Sequence, residues 1–477
     1  MEKTQLGQFG MIGLGTMGRN FLLNVADHGF SCVGYDLDAS QRALLLSEGA
    51  GKTTQTAENV EDFVGKLAAP RIIMLLVPAG KVVDMVIQGL LPHLSAGDLI
   101  IDGGNSHFSD TERREAFLIE KNIDFMGVGV SGGEAGARYG ASIMPGGSEA
   151  SFERVRPILE TVAARVNDEP CVAYMGTSSA GHFVKMVHNG IEYGLMQLLA
   201  ETYDLMKRGL SLDYDEMSRI FAEWNQSPEL NSFLVEITAQ VLRKKDDKTG
   251  AFLVEMILDT AGQKGTGKWT SQAALDLGIP IPTIDTSVTM RQISALKTER
   301  VETSAKYFPQ NTIAAQPSAQ MSARILEALK NALHAAFILT YAQGFSLLQE
   351  ASKDKKYDLN LARIAKIWRG GCIIRSGLLE QFRQAFHENP NLTNLLQNEI
   401  ESNILNQNIG YLREIVMMGM SHGIPVAAFA ASLSYFDAYT TRRLPANLIQ
   451  AQRDYFGAHT YQRVDETGIF HTPDWDK

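Results

Sequence analysis

Lys185, His188, Asn189, Glu192 and Tyr193 lie zero, three, four, seven and eight positions along from the lysine. On an α-helix those offsets share one face. The surrounding stretch, residues 181–199, is mostly Gly, Val, Met, Ile and Leu. A surface helix has a broad polar face and a narrower apolar one; here an apolar helix carries a single short polar stripe. Within it a potential base (Lys185) and a potential acid (Glu192) stand two turns apart, about 10–11 Å along the axis. A small substrate fits across that distance. The alternative is a buried Lys–Glu pair satisfied by its own neighbours. Burying five polar groups together is costly unless they are partnered, which favours a ligand.

The elements that must position this helix come before it. Residues 1–179 alternate short apolar runs with amphipathic stretches, the signature of a parallel sheet with crossover helices. Candidate strands are 9–13, 32–36, 72–77, 99–102, 125–130 and 171–174. Gly13-Leu14-Gly15-Thr16-Met17-Gly18 follows the first strand and opens a helix, the context that gives a G-x-G-x-x-G motif its meaning. Gly13 permits the turn, Gly15 admits a pyrophosphate, and Gly18 lets helix pack on strand. The helix start at Thr16 and Met17 supplies N–H groups for the phosphates. Asp36 ends the second strand, where an acidic residue bonds the adenosine ribose hydroxyls of NAD. Asp38 adds negative charge there and only Arg42 offers a nearby counter-charge, so the site favours NAD over NADP.

Two further loops close strands at the same edge: Asp102-Gly103-Gly104-Asn105-Ser106 and Val130-Ser131-Gly132-Gly133. Singly either is ordinary turn chemistry; together they form candidate substrate walls. Ala261–Trp269 is Gly-rich and basic but lacks the Gly-Lys-Ser/Thr ending of a P-loop, because Trp269 follows Lys268. Lys264 and backbone N–H groups there can still hold a phosphate.

From residue 180 to about 440 helical patterns dominate. Asn189–Leu205 has a weak echo in Asn331–Leu347, and Arg-Ile-x-x-x-Trp occurs at Arg219–Trp224 and again at Arg363–Trp368. A duplicated helical unit is the implication. Its second copy carries Glu327 for Lys185 and His334 for Glu192, so only the first half keeps the polar stripe. Residues 441–477 form a tail without clear helical periodicity after Gln452. From pattern alone an extended tail crossing to another subunit, a docked loop and partial disorder are equally open.

The 477 residues are 45% hydrophobic with a net charge of -10, which suits a multidomain globular protein and argues against nucleic acid as the main partner. Cys32, Cys171 and Cys372 are odd in number and scattered, so neither a disulfide framework nor a metal cluster is expected. There is no apolar leader after Met1 and no run of transmembrane length. A cytoplasmic protein without membrane contact is expected.

Several blocks resemble the decarboxylating 6-phosphogluconate dehydrogenases, of the β-hydroxyacid dehydrogenase superfamily: residues 101–106, 129–133, 185–193, 262–269 and 452–459. The resemblance spans the chain. It implies a Rossmann-type α/β domain (1–179), a large duplicated all-α domain (180–440) for substrate and dimerisation, and an extended C-terminal tail (441–477) reaching the partner of a homodimer. It implies Lys185 as general base and Glu192 as general acid. Asn105, Ser131, Gly132, Gly133, His188 and Asn189 would hold the sugar acid. Tyr193, Lys264, Thr266 and Arg291 would take its phosphate, with Arg453 and His459 from the other subunit. Gly13, Gly15, Thr16, Met17, Gly18, Asp36, Val77 and Asn105 would hold NAD or NADP, and no metal is implied.

The chain departs from the family at the cofactor. Many NADP-dependent members have Asn-Arg-Thr where this chain has Asp36-Leu37-Asp38, Ala at the middle glycine, and Lys where Pro78 stands. The rival readings are a β-hydroxyacid dehydrogenase acting on a small unphosphorylated acid, and a non-catalytic dinucleotide-binding protein. The first would not need Lys264, Arg291 and Arg453; the second would not need both Lys185 and Glu192.

Overall fold

A computed structural model describes residues 6–307 and 318–475. Residues 1–5, part of the stretch where no apolar leader is expected, lie outside the described residues. Two compact units emerge, 1–432 and 433–477.

The larger unit begins with seven strands: β1 (Phe9–Ile12), β2 (Cys32–Tyr35), β3 (Thr54–Thr56), β4 (Ile72–Leu75), β5 (Leu99–Asp102), β6 (Asp124–Ser131) and β7 (Ser142–Gly147). Between and after them run α1 (Thr16–Asp27), α2 (Ala39–Glu48), α3 (Val60–Gly65), α4 (Lys81–Leu90), α5 (Phe108–Ile119), α6 (Gly133–Tyr139) and α7 (Glu149–Val162). The sheet order is β3-β2-β1-β4-β5-β6-β7. Chain order reverses between β1 and β4, and that switch point is where an open α/β sheet binds its ligand. Apolar residues fill both sheet faces, with Phe9, Met11 and Phe21 on one and Val33, Phe63 and Ile73 on the other. This is why the strands are continuous apolar runs.

Three details differ from the sequence expectation. β7 is antiparallel to β6, because the 132–141 connection is shorter than the dozen or so residues that a parallel crossover needs. β3 is a polar edge strand, Thr-Gln-Thr, with no apolar run to announce it. The expected strand 171–174 makes only isolated bridges, Ile143 to Val172 and Gly146 to Gly176. Those bridges are three residues apart on β7 and four apart on the other segment; the extra residue breaks the ladder.

The helical part follows: α8 (Ala180–Asp204), α9 (Tyr214–Trp224), α10 (Phe233–Arg243), α11 (Leu253–Met256), α12 (Thr266–Leu277), α13 (Pro282–Ala295), α14 (Lys297–Ser304), α15 (Ala319–Asp354), α16 (Leu361–Trp368), α17 (Leu378–Glu388), α18 (Glu399–Ser421) and α19 (Ala427–Thr440). The echo has a structural counterpart. α8–α9–α10 and α15–α16–α17 each set a long helix before two shorter ones, and both Arg-Ile-x-x-x-Trp copies end the middle helix. α8 and α15 cross closely. A Cβ on Gly194 would meet the Thr340 methyl at 2.5 Å, and one on Gly344 would meet Ile191 at 2.5 Å. No described helix is long and apolar enough to cross a membrane.

In the smaller unit α20 (Ala446–Gly457) continues past Gln452, and the chain then folds back through a Tyr461–Phe470 bridge. Asp454 organises it without any periodic signal. Its buried carboxylate accepts hydrogen bonds from the backbone N–H groups of Thr460 and Thr472 and from Trp475 Nε1, and lies 2.9 Å from His471 Nδ1. Arg453 and His459 are exposed on this unit.

Candidate active site

The glycine turn lies at the switch point, after β1. Gly13 has φ +93°, and a Cβ on Gly18 would fall 1.8 Å from the Gly13 carbonyl oxygen, so neither position admits a side chain. At Gly15 a Cβ would meet nothing within 4 Å, leaving room for a ligand. α1 starts there with no capping side chain and no acidic residue in its first turn. Its N–H groups at Thr16 and Met17 are therefore available to a pyrophosphate. Val77 lies just past β4, beside this turn. These residues fit a bound dinucleotide.

Asp36 is more occupied than a free ribose ligand would be. One carboxylate oxygen accepts Leu14 N–H at 2.7 Å and the other accepts Asp38 N–H at 2.9 Å. Asp38 caps α2 through Ser40 N–H, and those bonds hold its carboxyl below the usual range. Arg42 donates to the carbonyls of Asp36 and Leu37 and pairs with Glu58 at 3.4 Å. Arg42, which lies beside the two aspartates, is thus already engaged. Leu37 is 88% exposed.

α8 passes beneath β6 and carries the polar stripe. Lys185 is only 7% exposed. A Cβ on Gly129 of β6 would lie 2.4 Å from the Lys185 Cβ and 3.0 Å from its Cγ, so the bare backbone there makes room for the lysine stem. Burial lowers the Lys185 pKa, with the Glu192 carboxylate acting in the opposite sense. Burial raises that of Glu192, against the pull of Lys185 and Arg291. The two shifts bring a base and an acid toward working pH from opposite sides.

His188 is fully buried, and burial together with Lys185 holds its pKa well below the ordinary value. It is neutral, so the 3.9 Å approach of Glu192 is no ion pair. Its Nδ1 lies 3.0 Å from Asn189 Oδ1 and its Nε2 3.3 Å from Ser131 Oγ. The neutral tautomer consistent with both donates to Asn189 and accepts from Ser131. Asn189 in turn donates to Thr266 Oγ1 at 3.3 Å. A chain of hydrogen bonds therefore links Ser131 through α8 to the start of α12.

The phosphate candidates gather at the next turn. Arg291 stacks 3.5 Å over the Tyr193 ring and donates to the Gly262 carbonyl. Gly267 packs against the same ring, where a Cβ would fall 2.5 Å from it. Thr270 ties α12 to α8 through the Met186 carbonyl. α13, which carries Arg291, is pinned at its start by Gln343 of α15, bonded to Thr283 N–H and Oγ1. Lys264 is exposed in the same loop. Asn105 is exposed at the end of β5, and His107 after it meets Trp269 edge-on at 5.1 Å. Lys185, His188, Asn189, Glu192, Tyr193, Ser131, Thr266 and Arg291 are thus joined by direct contact or one shared helix. Arg453 and His459 belong to the separate unit. No group of His, Cys, Asp and Glu among the described residues is arranged to hold a metal ion.

Sequence reasoning missed four neighbours. Trp368 packs edge-on against His188 at 5.6 Å. Gly371 accepts Ser142 N–H and would touch a side chain at Gly132. Cys372 is buried near Lys185, and burial pushes its thiol up to about 12. His182, one turn before Lys185, lies 2.7 Å from Thr111 of α5. The second Arg-Ile-x-x-x-Trp copy was the available signal for the first three, since it runs directly into Gly370-Gly371-Cys372.

A switch-point glycine turn joined to a buried Lys–Glu helix defines a nicotinamide-dependent dehydrogenase with a helical substrate domain. Comparison with known proteins narrows this. Residues 8–176 match the family described as NAD binding domain of 6-phosphogluconate dehydrogenase, and residues 181–475 match 6-phosphogluconate dehydrogenase, C-terminal domain. The chain is 49% identical over 470 residues to the NADP(+)-dependent, decarboxylating 6-phosphogluconate dehydrogenase of Bacillus subtilis, covering 98% of this chain and 99% of that one. It is 50% identical over 468 residues to the decarboxylating enzyme of Schizosaccharomyces pombe, covering 98% and 94%. The solved 6-phosphogluconate dehydrogenase of Plasmodium falciparum superimposes with a TM-score of 0.94 at 43% identity, covering 98% of this chain and all of that one. The chain belongs to the decarboxylating 6-phosphogluconate dehydrogenase family.

Proposed function

We propose that the protein oxidatively decarboxylates 6-phosphogluconate to ribulose 5-phosphate and CO2. The observation that carries this reading is the placement of Lys185 and Glu192 on one face of α8, with oppositely shifted pKa values and the Arg291–Tyr193 stack at the residue next to Glu192. A bound nicotinamide supplies the hydride acceptor. Neutral Lys185 removes the C3 hydroxyl proton as the C3 hydride departs, giving a β-keto acid. Protonated Lys185 then polarises the ketone while the bond to C1 breaks and CO2 leaves. Glu192 protonates the resulting enediol at the former C2, which becomes C1 of the product. Ser131, Gly132, Gly133, His188, Asn189 and Asn105 orient the sugar acid. Tyr193, Lys264, Thr266 and Arg291 hold its phosphate, because a dianion on an acidic protein needs a local cluster and Arg offers bidentate bonds.

The finer cofactor reading is a preference for NAD over NADP. Asp36 and Asp38 stand where a 2′-phosphate would lie, Leu37 offers it no charge, and Arg42 is committed to backbone carbonyls and Glu58. Two unit charges at 4 Å repel by about 1 kcal/mol in water and about 4 kcal/mol at an effective dielectric of 20. The enzyme is further proposed to act as a homodimer in which Arg453 and His459 complete the partner's phosphate site. The apolar surface of the C-terminal unit supports this: Leu448, Ile449, Tyr455 and Phe456 are all exposed on α20. The test is initial rate with 6-phosphogluconate under NAD and NADP side by side, with unphosphorylated gluconate as the control acid. Turnover of gluconate and 6-phosphogluconate with equal kcat/KM would refute the phosphate reading.

A further inference from the structure

Arg114 is a charged side chain only 2% exposed, on a helix whose sequence gave it no distinction. Its guanidinium spans two turns of the sheet's ligand edge. Toward the turn after β4, Nε donates to Asp84 at 2.8 Å and an Nη donates to the Gly80 carbonyl at 2.9 Å. Toward the loop after β5, the other Nη donates to Asp102 at 3.1 Å and Ser106 Oγ at 3.2 Å. Asp102, fully buried, spends its remaining capacity on the same loop, accepting Gly104 N–H at 3.0 Å and Ser106 O–H at 2.6 Å. Between these anchors lie Val77, Pro78 and Ala79 on one side and Asn105 on the other. The two loops also touch directly. Gly103 donates to the Leu75 carbonyl at 2.9 Å, and a Cβ on Gly104 would stand 3.3 Å from the Val77 carbonyl oxygen. Beside them is Gly13, where a Cβ would meet the Leu76 carbonyl at 2.4 Å. The four bonds of Arg114 thus tie the Gly80 turn and the first turn of α4 to the end of β5 and the loop that follows it.

We propose that Arg114 is a positioning residue for the dinucleotide, locking the 76–80 turn to the 103–107 loop so that the two walls of the nicotinamide half of the crevice hold a fixed separation. This rests on the dehydrogenase reading of that crevice. Asp84 fits the role: burial works to raise its pKa, and the hydrogen bonds from Arg114 and Arg113 outweigh this and keep it ionised. A lysine at 114 cannot reproduce the clamp, because a single ammonium cannot reach four acceptors on two separate segments. The adenosine half, held at Gly13–Gly18 and Asp36, is not braced by Arg114.

The experiment compares Arg114→Lys with the parent enzyme. KM and kcat are measured for whichever dinucleotide the parent uses, and binding of that dinucleotide and of its adenosine fragment is measured by calorimetry. The expected result is a loss of about tenfold to a hundredfold in kcat/KM for the dinucleotide, with affinity for the adenosine fragment unchanged. Parent-like dinucleotide kinetics would overturn the proposal. So would equal losses for dinucleotide and fragment, which mark a general loosening of the domain. Asp84→Asn, at a partly exposed position, provides the same split if Arg114→Lys does not fold, and parent-like kinetics there would overturn it equally. A parent enzyme that binds the dinucleotide but leaves 6-phosphogluconate unreacted would count against the proposed reaction and leave the binding split measurable.

Discussion

Gly129→Ala places a methyl group directly against the proposed base. The added carbon would lie 2.4 Å from the Lys185 Cβ, 3.0 Å from its Cγ and 3.1 Å from the Gly181 carbonyl oxygen. Comfortable carbon–carbon separation is about 3.5–4.0 Å, so strand or helix must yield by about 1 Å. The nearest atoms belong to the stem of a buried side chain and to a helix backbone, neither of which can swing away. Overpacking of this kind typically costs about 1–3 kcal/mol of stability. A misplacement of about 1 Å at a reacting group can cost about a hundredfold in rate. Stopped-flow turnover at saturating substrate and cofactor, beside thermal unfolding and dinucleotide titration, should show kcat falling by about that factor while dinucleotide affinity holds. Gly89→Ala is the control, since a Cβ there meets nothing within 4 Å. A folded Gly129→Ala enzyme with the parent's kcat would refute the claim that Lys185 is positioned through this contact.

Asp36→Asn combined with Leu37→Arg should shift preference toward NADP, by about 5- to 1,000-fold in relative kcat/KM and most visibly at low salt; a parent that already prefers NADP by tenfold or more would contradict the carboxylate reasoning. Lys185→Ala should abolish nearly all turnover, a loss of about 10²–10⁴ for a general base, with dinucleotide binding retained in titration. Arg453→Ala mixed with Lys185→Ala should regain activity once subunit exchange is demonstrated; exchange without regain would assign the tail to its own subunit. Glu401→Gln should stabilise the protein more at alkaline than at acid pH. Burial raises Glu401 to about 7, against the opposing pull of its own backbone N–H and the Gln381 amide. The folded state therefore binds the extra proton between the unfolded value and about 7, and stability drains away as pH rises through that window, by about 3 kcal/mol at most. Equal unfolding midpoints for parent and variant at both ends would contradict it.

The polar stripe of α8 was legible because its pattern is local: five polar residues at helical spacing within an apolar segment need no long-range information. The glycine turn was legible for the same reason, as strand, turn and helix are contiguous. What the sequence hid depends on distant partners. Arg114 looks like a solvated helix arginine until Asp84, Asp102, Ser106 and the Gly80 carbonyl are brought around it. Trp368 reaches His188 across 180 residues of chain. The direction of β7 and the failed ladder at 171–174 depend on connection length and a single extra residue, which apolar runs do not encode. Asp454 organises the C-terminal unit by accepting several hydrogen bonds, a pattern with no period. The doubled helical unit was visible in one motif, yet the second copy's contribution to the site was not, because it lies in packing and in the Gly371 carbonyl rather than in matching polar residues.

The most direct test of the central claim is the fate of deuterium at C3 of 6-phosphogluconate in ordinary water. Hydride departure from C3 with Lys185 as base requires all of the label to appear on the reduced nicotinamide, with one CO2 released per dinucleotide reduced and an unlabelled solvent proton at C1 of ribulose 5-phosphate. Label washed into solvent, or reduction without equimolar CO2, would contradict it.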